Sequence, residues 1–388
     1  MAGRVAPYID NTGLVFAYDQ ANIVRSYLGE PTVNLATNTP SQGGWPGSYT
    51  VVDSANKTFD FTTSTVEWGG DASWTTFYYD VSAYTGQYVT ISATFEYASD
   101  PNKFNFLWIG QTSGSETYLG YSPEADRNVK TTDDREDITW SGVVGSGGKV
   151  GILIWMSNGT STTVTARISN VQVEVKSHAT PFVNGTRSVT QGLKDLTGRS
   201  TIDLSNVSFD SSAQMTFDGS DDRILTSENI ALNGSQTFEV ITTISGGPQS
   251  PAGIISNHDY ANTSNFGLNH ISGNRIGISI GYTDNSREYD SKYTTYTATV
   301  GTPFHLVMTF DQSSNTVKLY INGVLDSTFV LTKTVKFTSR PVVLGRWDYQ
   351  YNYYYFNGKI PVAKAYNRAL SAADVTQNFN AVRGRYGI

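Results

Sequence analysis

"FHLVMTFDQSSNTVKLYINGVLDSTFV", Phe304 to Val330, decides the fold class. Two runs rich in β-branched and aromatic residues flank the polar stretch Asp311 to Asn315, and the chain then reverses again at Asn322-Gly323. Asn-Gly suits the positive φ angles of a type I′ turn, so the segment reads as a three-stranded antiparallel meander. The same period of two recurs along the chain. In "VTISATFEY", Val89, Ile91, Ala93, Phe95 and Tyr97 share one face, and Thr90, Ser92, Thr94 and Glu96 the other. In "VTARISNVQVEV", Ala166 and Ile168 are out of phase with Val171, Val173 and Val175, which predicts a bulge near Ser169-Asn170 that restores the buried face.

One helix stands out against this background. Ser371 caps "SAADVTQNFNAVRG", Asp374 completes a capping box, Val375, Phe379 and Val382 share a face, and Gly384 is the expected terminator, giving a helix over 372–383.

The composition fits many strands and tight turns: 36 Gly and 24 Tyr in 388 residues, with only 16 % charged. A net charge of -7 without a basic stripe argues against nucleic acid as a partner. No apolar run approaches the roughly 20 residues of a membrane helix, and "MAGRVAPYIDNTGLVFAYD" lacks the apolar core of a signal peptide, so no membrane partner is expected. The absence of Cys removes disulfides, thiol nucleophiles and Cys-ligated zinc.

Six of the seven Trp, at 45, 68, 74, 108, 140 and 155, lie in the first half of the chain and only Trp347 in the second. That shift indicates two different domains, joined at Val175 to Ser188, where Pro181 and Gly185 break the alternation.

Three blocks now support a resemblance: "MTFDGSDDRI" (Met215 to Ile224), "HLVMTFDQSSNTVKLYINGVLD" (His305 to Asp326) and "FNGKIPVAKAYNRALSAADVTQNFNAVRGRYGI" (Phe356 to Ile388). In this order they resemble the laminin-G-like, concanavalin-A-like jelly roll, and the closing "AYNRALSAADVTQNFNAVRGRYGI" is similar to the ends of structural proteins of tailed bacteriophages. Proteins of that type run a strand like "GLVFAYDQAN" directly into a segment like "LKDLTGRS". Here these pieces, Gly13 to Asn22 and Leu193 to Ser200, are far apart. The resemblance therefore implies a discontinuous jelly roll. Residues 1–29 supply its first strand and residues 179–388 the rest. Residues 30–178 form an inserted second β-sandwich, resembling a carbohydrate-binding module at its two ends. The expected fold class is all-β, two sandwiches and a short C-terminal helix.

The resemblance implies a non-enzymatic virion structural protein: a capsid decoration, fibre or tail component, assembled in a host cytoplasm and then extracellular. Its expected partners are other virion proteins, in an oligomer, and a host surface glycan. The alternative is a lectin-type receptor-binding module for host surface polysaccharide, and the least supported reading is a glycan hydrolase. Hydrolases of this fold place two carboxylates on one strand in a Glu-x-Asp-x-x-Glu string; the nearest string here, Glu288 to Tyr293, lacks the second Glu. His178, His258, His270 and His305 show no zinc spacing, and His305 is expected to be an outward or half-buried strand residue.

The candidate contacts are aromatic. "LGRWDYQYNYYYFNGKI", Leu344 to Ile360, places Trp347, Tyr349, Tyr351, Tyr353, Tyr354 and Tyr355 on the rim between two jelly-roll strands, anchored by Trp347 and Phe356. Such a run can stack on glycan, form a protein interface or blunt a sheet edge. Trp68 and Trp74, around a Gly-Gly turn, are candidate platforms of the insert, while Trp108 and Trp155 read as core. No organic cofactor is implied. Calcium is the one candidate ion, at Asp218, Asp221 and Asp222, against the simpler reading that Asp218-Gly219 turns the chain and Asp222 pairs locally.

Overall fold

The computed structural model describes residues 9, 11–44, 47–64, 73–98, 104–112, 136–156, 163–227, 230, 232–247, 251–348 and 354–388. The chain divides into two compact units. One comprises Met1–Glu30, Val189–Asp210 and Gln214–Ile388; the other comprises Pro31–Ser188 with Ser211–Ala213.

In the first unit an eight-stranded antiparallel sheet runs in the order Ser208–Phe209, Met215–Asp218, Asn357–Tyr366, Gln236–Ile244, Phe304–Asp311, Thr316–Ile321 and Val324–Val330, with Leu14–Asp19 also paired to Asn357–Tyr366. A seven-stranded sheet faces it: Ile202–Asp203, Ile224–Thr226, Val343–Leu344, Ala252–Ser256, Phe266–Ile271, Arg275–Gly281 and Arg287–Tyr293. Phe238, Val240, Leu306 and Met308 from the first sheet meet Leu268, Ile278 and Ile280 from the second in one buried core. The meander is as the sequence requires: Asn322 and Gly323 take φ of 49° and 79°, and Ile321 pairs with Val324 across the turn.

Asp195 makes "LKDLTGRS" a fixed turn. Its buried carboxylate accepts from the backbone N–H of Ala17 at 3.0 Å, Thr197 at 3.0 Å and Ser200 at 3.1 Å, and so ties that turn to the strand Leu14–Asp19.

The helix Ala372–Tyr386 has the full capping box between Ser371 and Asp374. It covers the outer face of the eight-stranded sheet, with Val375 against Val307 and Tyr320, and Val382 against Ile241 and Val362. Its C-terminus lies beyond the expected Gly384. Gly387 takes the left-handed conformation at φ 67°, and the last turn is held by Tyr386 Oη donating to Asp19 at 2.6 Å and Arg385 pairing with Asp19 at 2.7 Å.

His305 also departs from expectation, because it is fully buried beneath this helix. Its Nε2 lies 3.1 Å from Glu239, whose carboxylate also receives Lys364 Nζ at 2.6 Å, Asn378 Nδ2 at 2.7 Å and Tyr366 Oη at 3.3 Å. Burial opposes the charge on Glu239, but Lys364 and His305 outweigh it and bring the carboxyl down to about 2.

In the second unit a four-stranded sheet (Ser41–Gly44, Ser73–Asp80, Lys149–Met156, Phe104–Thr112) faces a five-stranded one (Gly47–Asp53, Thr58–Ser64, Thr163–Glu174, Tyr88–Ala98, Glu136–Val143). Phe59, Phe61, Phe77, Ile91, Phe95, Ile152 and Ile168 fill the space between them. The bulge is present. The pairing of Thr163–Glu174 with Tyr88–Ala98 shifts between Ser169 and Gln172, and Asn170 has φ 54°. The shift turns Val171 and Val173 inward, and Gln172 and Glu174 meet the returning chain instead. Glu174 accepts from Thr32 Oγ1 at 2.7 Å, Thr180 N at 2.8 Å, Thr180 Oγ1 at 2.8 Å and Gln172 Nε2 at 2.9 Å, all buried. Thr186–Arg187 pairs with Thr32–Val33, so the chain enters and leaves this unit side by side.

Candidate functional site

The outer face of the strands Ala252–Ser256, Phe266–Ile271 and Arg275–Gly281 is lined by small residues. Gly253, Gly267, Gly277 and Gly281 lie there with Asn269 and Ser279, as the period of two from the inward Leu268, Ile278 and Ile280 dictates. Two loops use the space. A Cβ on Gly253 would stand 2.2 Å from the backbone of Arg346 and Trp347, and one on Gly281 would stand 2.3 Å from that of Thr263 and Ser264. Glycine at these two positions therefore lets the backbone of Arg346 and Trp347, and that of Thr263 and Ser264, lie directly on the strands.

The second loop is the tyrosine run. Its ends are joined by Phe356 N donating to Gly345 O at 2.9 Å, and Gly253 N donates to Tyr354 O at 3.1 Å. Trp347 is 3 % exposed and forms the floor. Its indole Nε1 donates to Ser279 Oγ at 2.8 Å, and its ring centroid lies 5.2 Å from His258, 5.2 Å from Tyr289, 5.5 Å from Tyr260 and 5.6 Å from Tyr354. Tyr260 and Tyr289 are near-parallel, 17° apart. The Arg287 guanidinium sits 4.1 Å from the Tyr260 centroid and donates from Nη1 to Tyr260 O at 3.2 Å and Tyr289 Oη at 3.0 Å. Tyr260, Arg287, Tyr289 and Tyr354 are half-buried, so the stack presents one wet side. Tyr354 holds φ 64°, an uncommon conformation for a bulky residue.

Beneath the stack the polar groups are buried. Asp348, 1 % exposed, accepts from Tyr260 N at 2.7 Å and lies 3.8 Å from His258 Nδ1. His258 is fully buried with both ring nitrogens unpartnered among the described residues, and burial pulls its pKa down to about 4, so the ring is neutral at pH 7. Burial works against charge on Asp259, yet Asn262 and Arg340 hold its carboxyl below the ordinary range, and Arg340 Nε reaches it at 2.6 Å.

Of the sequence candidates, Trp347, Tyr354 and Tyr355 come together here. Tyr355 is buried and bridges Arg346, and Phe356 closes the loop against Phe217, 6.2 Å away. Tyr349, Tyr351, Tyr353 and Trp68 lie outside the described residues. Trp74 is placed as backbone only, opposite Trp155 in the four-stranded sheet, and the ring positions of Trp74, Trp108 and Trp155 lie outside the description. Sequence reasoning missed His258, Tyr260, Arg287, Tyr289 and Asp348. The available signal was the period of two that puts Arg287 and Tyr289 on one side of a strand; the overlapping string Glu288 to Tyr293 was weighed only for carboxylates.

That string is occupied structurally. Glu288 accepts from Tyr282 Oη at 2.9 Å and Ser291 Oγ at 2.9 Å and pairs with Lys292. The aspartate turn has carboxylate oxygens of Asp218, Asp221 and Asp222 within 4.8 Å of one another. Buried Asp222 spends one oxygen on Ser208 N at 2.8 Å and Ser208 Oγ at 3.0 Å, and the other on Asp218 N at 2.7 Å, while Asp218 accepts from Ser220 N at 2.7 Å. This donor set braces a turn and leaves far fewer free oxygens than the 6–8 that calcium takes.

Residues 218–376 match the family model Laminin_G_3, described as the concanavalin A-like lectin/glucanases superfamily, which covers under half of the chain. This stretch has the concanavalin A-like jelly-roll fold, in line with the two facing sheets. No curated protein matches the sequence. Similar solved structures include the binding domain of botulinum neurotoxin serotype D (17% identity, TM-score 0.39, covering 50% of this chain and 49% of that one). They also include the binding domain of Paraclostridial Mosquitocidal Protein 1 (17%, 0.40, 49% and 49%) and Trypanosoma rangeli sialidase in complex with 2,3-difluorosialic acid (13%, 0.38, 49% and 30%). The chain thus spans about half or less of the length of these structures.

Proposed function

We propose that this protein is a non-enzymatic glycan-binding protein, with the stack of Tyr260, Arg287 and Tyr289 over Trp347 as the saccharide contact. One observation carries the reading: three half-buried planar groups are held over a buried indole on the flat, glycine-lined face of a sheet. Planar groups with one wet side suit the C–H face of a pyranose, and the guanidinium supplies donors for its hydroxyls. Each end of the stack is fixed from below, by Asp348 on the Tyr260 backbone and by Arg287 on Tyr289, so little ordering cost remains on binding. The test is a glycan array with the native chain, followed by titration of any hit with Tyr260→Ala and Tyr289→Ala. Each variant is expected to weaken binding at least about tenfold, near 1.4 kcal/mol; a blank array, or hits that both variants retain, would overturn it.

A second reading concerns where the protein acts. The closing sequence Ala365 to Ile388, similar to the ends of tailed-phage structural proteins, supports a place in a virion, as a capsid decoration, fibre or tail component that meets other virion proteins as an oligomer. Mass spectrometry of purified particles is expected to find it in many copies, and its absence from particles would rule this out. The absence of catalysis is supported by Glu288, whose oxygens are taken up by Tyr282, Ser291 and Lys292. Reducing sugar released from a bound polysaccharide would contradict it.

A further inference from the structure

The chain turns twice beside the strand Leu14–Asp19, at residues 20–27 and at residues 193–200. The two turns are stitched together, with Lys194 N donating to Ser26 O at 2.9 Å and Ser26 Oγ donating to Lys194 O at 3.1 Å. The first is rigid. Asn22 O accepts from Ser26 N at 3.0 Å and Tyr27 N at 2.9 Å, and Asn22 Oδ1 accepts from Arg25 N at 3.0 Å. Yet Ile23 and Val24 at its tip are 69 % and 79 % exposed. Turns favour Gly, Asn, Asp and Ser, whereas stiff β-branched side chains suit strands, so no local rule puts two of them here. On the second turn Leu196 is 41 % exposed, and its N–H is fixed on Ala17 O at 2.7 Å. Residues of both turns line one groove of about 470 Å³, with Leu14 and Ala17 from the strand, Arg25 from the first turn and Arg199 from the second. Both arginines are exposed, and neither guanidinium has a partner among the described residues. The one carboxylate of the lining, Asp19, is already taken by Arg385 and Tyr386.

We infer that these two turns form a docking surface for an acidic, amphipathic segment of a partner protein. Charge selects the partner. In a chain of net charge -7, two uncompensated guanidiniums on one groove are a local exception, and their planar forks match the carboxylates of Asp and Glu. Shape narrows it further. Ile23 and Val24 protrude and call for an apolar hollow on the partner, while the groove beside them receives side chains in return, as in the interlocking core of a protein interface. A flat lipid surface would take the two aliphatic tips and leave the groove unfilled. A twofold pairing of two copies through this face would gather their arginines into one interface, where like charges repel. Because the turns are already fixed by their own hydrogen bonds, docking carries little ordering cost. The groove is built by the jelly-roll unit alone and shares no residue with the aromatic stack, so docking here requires neither glycan binding nor a place in a virion.

The experiment is an array of dodecapeptides that combine Asp or Glu with Leu, Ile or Phe, probed with the intact labelled chain. Two matched sets accompany it, one with Asn or Gln in place of the acids and one with Ser in place of the apolar residues. The best binder is titrated by fluorescence polarisation against the native chain, Ile23→Ser with Val24→Ser, and Arg25→Gln with Arg199→Gln. A control, Val324→Ser with Val330→Ser, removes an apolar pair of 69 % exposure elsewhere in the unit. All these side chains are exposed, and an unchanged unfolding midpoint checks that each variant is folded. The expected result is binding by the acidic, apolar set alone, with affinity at least tenfold lower in both turn variants, unchanged in the control, and weaker as salt is raised. The absence of any binder, equal binding by either matched set, or binding that survives both turn variants overturns the inference. So does pelleting with phosphatidylserine vesicles that needs Ile23 and Val24, which makes the surface a lipid contact, or a dimer in sedimentation that the Ile23→Ser, Val24→Ser variant loses, which makes the occupant a second copy.

Discussion

Glu239→Ala tests the fold where its charges are most deeply buried. The carboxylate lies beneath the C-terminal helix and compensates Lys364, which is 3 % exposed, while also taking His305, Asn378 and Tyr366. Removing it strands a buried ammonium and three further partners, a change that costs about 3–5 kcal/mol. The pH dependence gives an independent figure. Glu239 is held at about 2 against an ordinary value of 4.5, and at 1.36 kcal/mol per pH unit this is about 3 kcal/mol. A depressed carboxyl contributes stability that is fully present above its unfolded value and disappears as pH falls through its folded value. The native jelly roll should therefore weaken between about pH 5 and pH 2, and Glu239→Ala should lack that part of the acid dependence. Trp347 is the only tryptophan of the jelly-roll unit, so its resonance in a fluorotryptophan-labelled chain reports that unit alone during guanidinium unfolding. Replacing the pair together, Glu239→Met with Lys364→Met, should recover most of the loss, because two apolar groups leave no uncompensated charge. A single-variant cost under about 1 kcal/mol, or a double variant no better than the single, would refute the account.

Other expectations are more local. Gly253→Val should displace the chain at Arg346 and Trp347, given the 2.2 Å approach of its Cβ to their backbone, and abolish glycan binding at the stack while far-UV circular dichroism stays native. Ser371→Ala removes the helix cap and should cost about 1 kcal/mol, read as a lower midpoint in the same unfolding assay. Glu174→Ala leaves Thr32, Thr180 and Gln172 without their acceptor and should cost about 2–4 kcal/mol, seen in the tryptophan resonances of the second unit and not in Trp347. Adding calcium should leave both transitions where they are, because Asp222 is already satisfied by Ser208 and Asp218; a rise in midpoint would reverse that reading.

What the sequence made legible was chemistry that works over a few residues. The Asn322-Gly323 turn, the bulge at Asn170 and the Ser371 capping box each have a local cause, and each is present. The helix end was misjudged because Gly384 and Gly387 are equivalent by type, and the choice fell to Asp19, more than 360 positions away, which holds Tyr386 and Arg385. His305 was misjudged for a similar reason. Its strand alternates like a surface strand, and only the helix folding over it makes it interior. At the site, Trp347 advertised itself by its neighbours, whereas Tyr260, Arg287 and Tyr289 are ordinary in their own segments. They become a cluster because small residues on three other strands let two loops settle on one face.

The paired entry and exit of the second unit have a consequence for how such a chain can change. Leu28 donates to Gly192 O at 2.8 Å within the jelly roll, and Thr186–Arg187 pairs with Thr32–Val33 within the other unit, so on each side the two chain ends already lie next to each other. Recombination could therefore remove residues 31–188 and close the gap with a short turn, or install a different module, without asking either core to move.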